Sequence, residues 1–246
     1  MCAMASHLAR ALQLTLLDYS SSRGIGFELV RQLLASPDNL VVAACRNPAT
    51  ATALHDLKDS TRGVLHVIHM DVSHFDSVRA SAKVLEPILG ETGLDYLINN
   101  AGIAARDTAF TLDPDELLRI FRTNVVGPAI VSQTCLPFLQ KGKRKIILNI
   151  SSTAGSIATV EEIGARNTSY SISKAALNML TLKQKAEWPD IITITLCPGW
   201  VKTDMGGEEA YVETEESISK ILALITSATA ADSGKFLRYN GEAIPW

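Results

Sequence analysis

Asp18-Tyr19-Ser20-Ser21-Ser22-Arg23-Gly24-Ile25-Gly26 stands between an apolar run, Leu12-Gln13-Leu14-Thr15-Leu16-Leu17, and an amphipathic segment that starts at Phe27. A strand, a tight turn and a helix are what this order of residues predicts. Gly24 and Gly26 at the helix start allow a close backbone approach, and the free N–H groups of a first helical turn attract negative charge. Ser22 to Gly26 is therefore a candidate phosphate cradle. An ordinary strand-to-helix turn would use the same residues, so the neighbours must decide.

Working outward, short β-rich runs near 12–18, 39–45, 64–71, 94–100, 145–151, 191–197 and 234–239 alternate with helical periodicity over 27–35, 75–89, 116–139, 171–187 and 215–227. Strands that read as apolar throughout are buried on both faces, as in a parallel sheet covered by helices. The alternation predicts a doubly wound α/β fold in a single domain over residues 1–246, with 1–11 a loose leading segment. Ligands in such sheets bind beyond the carboxyl ends of the strands.

The composition is consistent with that fold. Apolar residues make up 47% and charged residues 20%, with a net charge of −3, so the sequence carries neither a nucleic-acid footprint nor a basic membrane face. Cys2, Cys45, Cys135 and Cys197 form no CxxC pair, which points to reduced thiols in a cytoplasmic protein and away from a disulfide framework or zinc cluster. His66 and His69 fall three apart in a strand and so face opposite ways, and no metal site is expected. The first residues lack a cleavage pattern and an apolar span long enough for a membrane.

The strand ends carry the chemistry. After the second strand, where a carboxylate would read a ribose 2′-hydroxyl, stands Arg46, and a guanidinium suits a 2′-phosphate, so NADP(H) is favoured over NAD(H). Asp71-Val72 follows the third strand and Asn100-Ala101-Gly102 the fourth, small and amide residues that can line a nucleoside cleft or simply make turns. Ser152 follows the fifth strand. Tyr170 and Lys174 come 18 and 22 residues later, four apart on one helix face, where an ammonium would draw the phenol's pKa down and make it a general acid or base. Cys197-Pro198-Gly199 closes the sixth strand.

Together these motifs resemble the short-chain dehydrogenase/reductase family from about Leu14 to Trp246, and 198–207 and 234–246 resemble its C-factor-like and sniffer-like carbonyl reductases. The resemblance implies a Rossmann-like sheet and a catalytic quartet of Asn124, Ser152, Tyr170 and Lys174. In that scheme Tyr170 exchanges the proton of a carbonyl or alcohol, Ser152 binds the same oxygen, Lys174 holds nicotinamide ribose hydroxyls, and Asn124 anchors a relay water. It also implies cofactor contacts from Ser22, Arg23, Gly24, Ile25 and Gly26, from Arg46, Asp71 and Val72, from Asn100, Ala101 and Gly102, and from Pro198, Gly199, Val201 and Thr203. Arg23 and Arg46 match the NADP-type pair.

The chain departs from the family's TGxxxGxG at Tyr19 and Ser20. A Cβ at Ser20 in a positive-φ turn would cost roughly 1–2 kcal/mol, and Asp18 adds a negative charge near a diphosphate. Cofactor binding survives if the helix N-terminus and both arginines keep their places. On the substrate side, the segment between Ser152 and Tyr170 is longer than is usual in the family and should add a loop to one pocket wall. Residues 206–216 resemble a flexible lid, with Trp200, Met205 and Tyr211 as an apolar wall. The expected activity is reduction of a small or medium apolar carbonyl compound or oxidation of the alcohol, with homo-oligomerisation left open. The alternative is a non-redox lyase, isomerase or cyclase on the same fold with a weakened cofactor site.

Overall fold

In the computed structural model, which describes the backbone of residues 15–19 and all of 21–246, the turn at Ser22 leaves a strand and enters a helix. That strand, β1 (Thr15–Tyr19), is central. Pairing runs parallel throughout in the order β3-β2-β1-β4-β5-β6-β7, with β2 (Leu40–Cys45), β3 (Val64–His69), β4 (Tyr96–Asn99), β5 (Ile146–Ile150), β6 (Ile192–Cys197) and β7 (Phe236–Arg238). The order reverses beside β1, between β2 and β4. A crevice forms at such a switch point. The expectations for 1–11 and for a strand beginning at Leu12 lie outside the described residues.

Side chains alternate across each strand and so serve two cores. Val41, Ala43 and Cys45 pack with Leu29, Val30 and Leu33 of α1 (Gly24–Leu33) and with Ile218, Ile221 and Ile225 of α8 (Thr214–Ser227). Val42 and Ala44 pack on the other face with Val78, Leu85 and Leu89 of α3 (Phe75–Leu89) and Val131, Cys135 and Leu139 of α5 (Gly127–Lys141). Burial on both faces explains the continuous apolar runs.

Three readings need correction. The periodicity over 116–139 is not one helix: α4 (Pro114–Phe121) passes through a π-helical turn, Arg122–Val126, into α5. Pro128 has no N–H to offer the carbonyl four residues earlier, so the regular ladder is interrupted there. Second, α2 (Thr52–Ser60) and the short α6 (Val160–Ile163) were not anticipated; only Leu54 of α2 and no residue of α6 is buried, so neither shows a strong apolar stripe. Third, the strands are not apolar throughout. Asn99, Asn149, Thr193 and Thr195 are buried. Asn149 accepts from Asn99 Nδ2 at 2.6 Å and donates to Thr181 Oγ1 at 2.8 Å and Gln184 Oε1 at 3.0 Å, so α7 (Thr168–Glu187) is seated on the sheet through a polar seam. A buried seam of this kind holds one register, because slippage would strand its amides without partners.

No helix among the described residues is long and apolar enough to cross a membrane, and no group of three or more His, Cys, Asp and Glu side chains among them is gathered for a metal ion.

Candidate active site

A cleft opens over the carboxyl ends of β1, β4, β5 and β6, lined on one side by Arg23 to Gly26 and on the other by Tyr170, Lys174, Thr203 and Met205. Asn100, Gly102, Ser151 and Pro198 complete its walls. Gly24 has a φ of +53°, a conformation that side chains rarely adopt, and a Cβ there would stand 3.3 Å from Thr203 Cγ2. The turn and the loop after β6 thus meet across a contact that only glycine permits.

Tyr170 and Lys174 share a face of α7, as their spacing predicts. Lys174 is buried, its Nζ donates to the carbonyl of Ile150 at 2.7 Å, and it lies 5.5 Å from the centre of the Tyr170 ring. Burial holds its pKa down at about 8, with Cys197 nearby acting in the opposite direction. The expected lowering of the tyrosine does not appear. Burial pushes the Tyr170 phenol above its ordinary value and Cys197 adds to this, while the Ser152 hydroxyl opposes it through a hydrogen bond. Desolvation is the largest influence on the phenol, and Lys174, whose Nζ is directed to Ile150 O, is not among the groups that lower it.

Ser152 caps a 3₁₀ turn, Thr153–Gly155, and its Oγ accepts from Ala154 N at 3.1 Å. That turn presses on α7 at Gly155, where a Cβ would come within 2.7 Å of the Lys174 carbonyl carbon. Ser151 Oγ donates to Asn178 Oδ1 at 2.6 Å, and Asn178 Nδ2 donates to Gly155 O at 3.0 Å. The strand end that carries the serine and the helix that carries the tyrosine are therefore bolted together.

Asn124 is fully buried within the π-helical turn. Its Oδ1 accepts from Ile103 N at 2.9 Å, and its Nδ2 donates to Ile103 O at 2.9 Å and to Ser173 Oγ at 3.0 Å. Both amide protons are spent, so the side chain clamps the segment after β4. Ser173, which also donates to Tyr170 O at 2.7 Å, links the π-helical turn to α7. It was not anticipated, since nothing in the spacing of Tyr170 to Lys174 marks it.

Of 246 residues, 19–214 match the family model described as short chain dehydrogenase. The chain belongs to the short-chain dehydrogenase family. It is 36% identical over 156 residues to the C-signal protein of Myxococcus xanthus, covering 62% of this chain and 93% of that one. It is 30% identical over 245 residues to an uncharacterized oxidoreductase of Schizosaccharomyces pombe, covering 92% and 95%. Among solved structures it resembles an NADPH-bound carbonyl reductase from chicken fatty liver, at a TM-score of 0.89 and 35% identity over 96% of this chain and all of the other. The carbonyl reductase Sniffer of D. melanogaster gives a TM-score of 0.90 and 31% identity with the same coverage.

The other positions implied by the family resemblance differ in their relation to this cleft. Ile25, Gly26, Asn100, Gly102, Pro198 and Thr203 line it directly. Ser22 and Arg46 are exposed, and Arg46 makes no ion pair among the described residues. Asp71 is engaged by its own turn, accepting from Ser73 N at 2.9 Å and His74 Nδ1 at 3.1 Å, and Val72 is buried against Gly127. Val201 is buried and bridges to Val212, while Gly199, at φ +86°, packs on Tyr239; Ala101 packs against the core. The turn strain at Ser20 and the ring of Tyr19 lie outside the described residues.

Two substrate-side expectations are corrected. No residue between Ile157 and Asn167 lines the cleft: the extra length folds outward as α6, leaving Ile157 and Val160 exposed. Met205 alone of the expected apolar wall lines the cleft. Trp200 meets Tyr211 edge to face at 6.1 Å and donates from Nε1 to Gly206 O at 2.7 Å, so it braces the loop after β6. Ala210 and Val212 of that loop are buried.

Proposed function

We propose that this chain is an NADP(H)-dependent carbonyl reductase that also oxidises the corresponding alcohol, with Tyr170 as the acid and base. The observation that carries the reading is that Tyr170 and Lys174 line the same cleft as the Arg23–Gly26 turn. The residues present fit a nicotinamide dinucleotide. Gly24 and Gly26 leave the first turn of α1 open to a diphosphate, and Gly102 lines the cleft beside Lys174, whose Nζ lies 3.5 Å from where a Cβ would sit. Arg23 and Arg46 suit a 2′-phosphate, and the NADPH in the chicken carbonyl reductase supports that choice over NADH. The cofactor, when bound, supplies the hydride.

This chain supplies the proton and the geometry. A carbonyl oxygen between Ser152 and Tyr170 would take hydrogen bonds from both hydroxyls, and Tyr170 would give up its proton as the oxygen gains charge. Burial holds the phenol above its ordinary value, so it carries its proton at neutral pH and releases it only as the substrate oxygen gains charge. Buried Lys174, beside the ring, would stabilise the phenolate left behind and take ribose hydroxyls. Asn124 and Ser173 hold the helices that set this geometry. Met205 and the apolar edge of the cleft favour a small or medium apolar carbonyl compound. The non-redox alternative draws no support from the solved relatives, which are carbonyl reductases.

Titration of the purified protein with NADPH and NADH, followed by nicotinamide fluorescence, tests the reading. Saturable NADPH binding with carbonyl-dependent oxidation is the expected result. No binding at millimolar cofactor would overturn it.

A further inference from the structure

Arg23 is paired in this structure: its Nη1 lies 3.3 Å from Asp204 Oδ2, across the mouth of the cleft that both residues line. Asp204 is not on a loose tether. Gly206 N donates to Thr203 Oγ1 at 3.1 Å, Gly207 N to Thr203 O at 3.0 Å and Trp200 Nε1 to Gly206 O, so a closed turn presents the carboxylate to the arginine. Thr203 meanwhile packs on Gly24, next to Arg23 in sequence. Arg46, by contrast, is exposed and makes no ion pair among the described residues.

We propose that Asp204 sets the cofactor preference of the cleft by competing with a 2′-phosphate for Arg23, a reading that rests on the NADP(H) assignment above. A dinucleotide carrying the 2′-phosphate must draw Arg23 away from Asp204 to gain its charge-assisted hydrogen bonds. A dinucleotide with a 2′-hydroxyl offers no such exchange and leaves the Arg23–Asp204 pair in place. The carboxylate thus lowers NADPH affinity while leaving NADH affinity little changed, and it narrows the gap between the two. Both side chains are largely exposed, at 70% and 78%, so the pair is worth no more than an ordinary surface ion pair.

The test is a double-mutant cycle on binding, read by nicotinamide fluorescence with NADPH and NADH as probes. Asp204→Asn should tighten NADPH about three- to fivefold and change NADH by less than about twofold. On an Arg23→Gln background, the same substitution should change NADPH affinity by less than about twofold. Equal tightening of both cofactors would mean plain repulsion of the diphosphate, and weaker NADPH binding would mean that Asp204 orients Arg23 for the phosphate; either overturns the proposal, as does an unchanged affinity or an effect that persists without Arg23. Thermal melting of each variant confirms that the fold is kept. If the wild-type chain binds neither nucleotide, the NADP(H) assignment itself falls, whereas tight NADPH binding with an unaltered preference in Asp204→Asn removes this proposal alone.

Discussion

Lys174 donates to the carbonyl of Ile150 at 2.7 Å, so the buried ammonium of α7 is anchored to the end of β5. The bond fixes the lysine at the strand end from which Ser152 projects.

Burial holds Lys174 at about 8, below its ordinary 10.5. Between those values the unfolded chain binds a proton that the folded one lacks, so this group makes stability rise as pH increases through that window. Tyr170, raised above its ordinary value of 10.0, acts oppositely only once the unfolded phenol ionises. Urea unfolding from pH 8 to 10 should therefore show an upward contribution that Lys174→Met removes. An identical slope in that variant would contradict the assignment.

Tyr170→Phe should lower kcat for carbonyl reduction by about 10²- to 10⁴-fold, the usual worth of a positioned acid. NADPH affinity should stay within about threefold of wild type, since the ring is kept. Near-normal turnover in Tyr170→Phe would remove the proposed acid.

Asn124→Ala leaves the N–H and C=O of Ile103 without the partner that now serves both. The loss of stability should be about 1–3 kcal/mol, as expected for part-buried backbone groups left unpaired. Denaturant melts measure it directly. A change below about 1 kcal/mol would mean that water replaces the clamp.

Gly155→Ala would drive a Cβ to 2.7 Å from the backbone of Lys174, so α7 and its tyrosine must shift. Overpacking of this sort costs about 1–3 kcal/mol, and kcat should fall with it. Gly164→Ala is the control, because its φ is +72° but nothing lies within 4 Å of the added methyl. It should show a stability loss of about 1 kcal/mol from the backbone and no loss of turnover. Equal kinetics in the two variants would show that the 3₁₀ turn does not position the helix.

The legible part of this protein is the part carried by short spacings. Apolar runs such as Val41 to Cys45 mark strands buried on both faces, and the four-residue step from Tyr170 to Lys174 marks one helix face whatever the rest of the chain does. The family motifs at Gly24, Asn124 and Ser152 are equally local. The periodicity over 116–139 runs through both α4 and α5 because Pro128 interrupts the ladder without interrupting the apolar period.

Contacts between distant segments were decided elsewhere. Arg23 and Asp204 are 181 residues apart, and they meet only because the sheet order places β1 and the loop after β6 around one crevice. The polar seam from Asn99 through Asn149 to Gln184 likewise exists only once β4, β5 and α7 are packed. Tyr170's upward pKa belongs to the same class, since desolvation is set by everything that surrounds a group and not by the lysine one turn away. Residue identity and periodicity determine which side chains can act; the dielectric and the partners that each one meets are properties of the assembled fold.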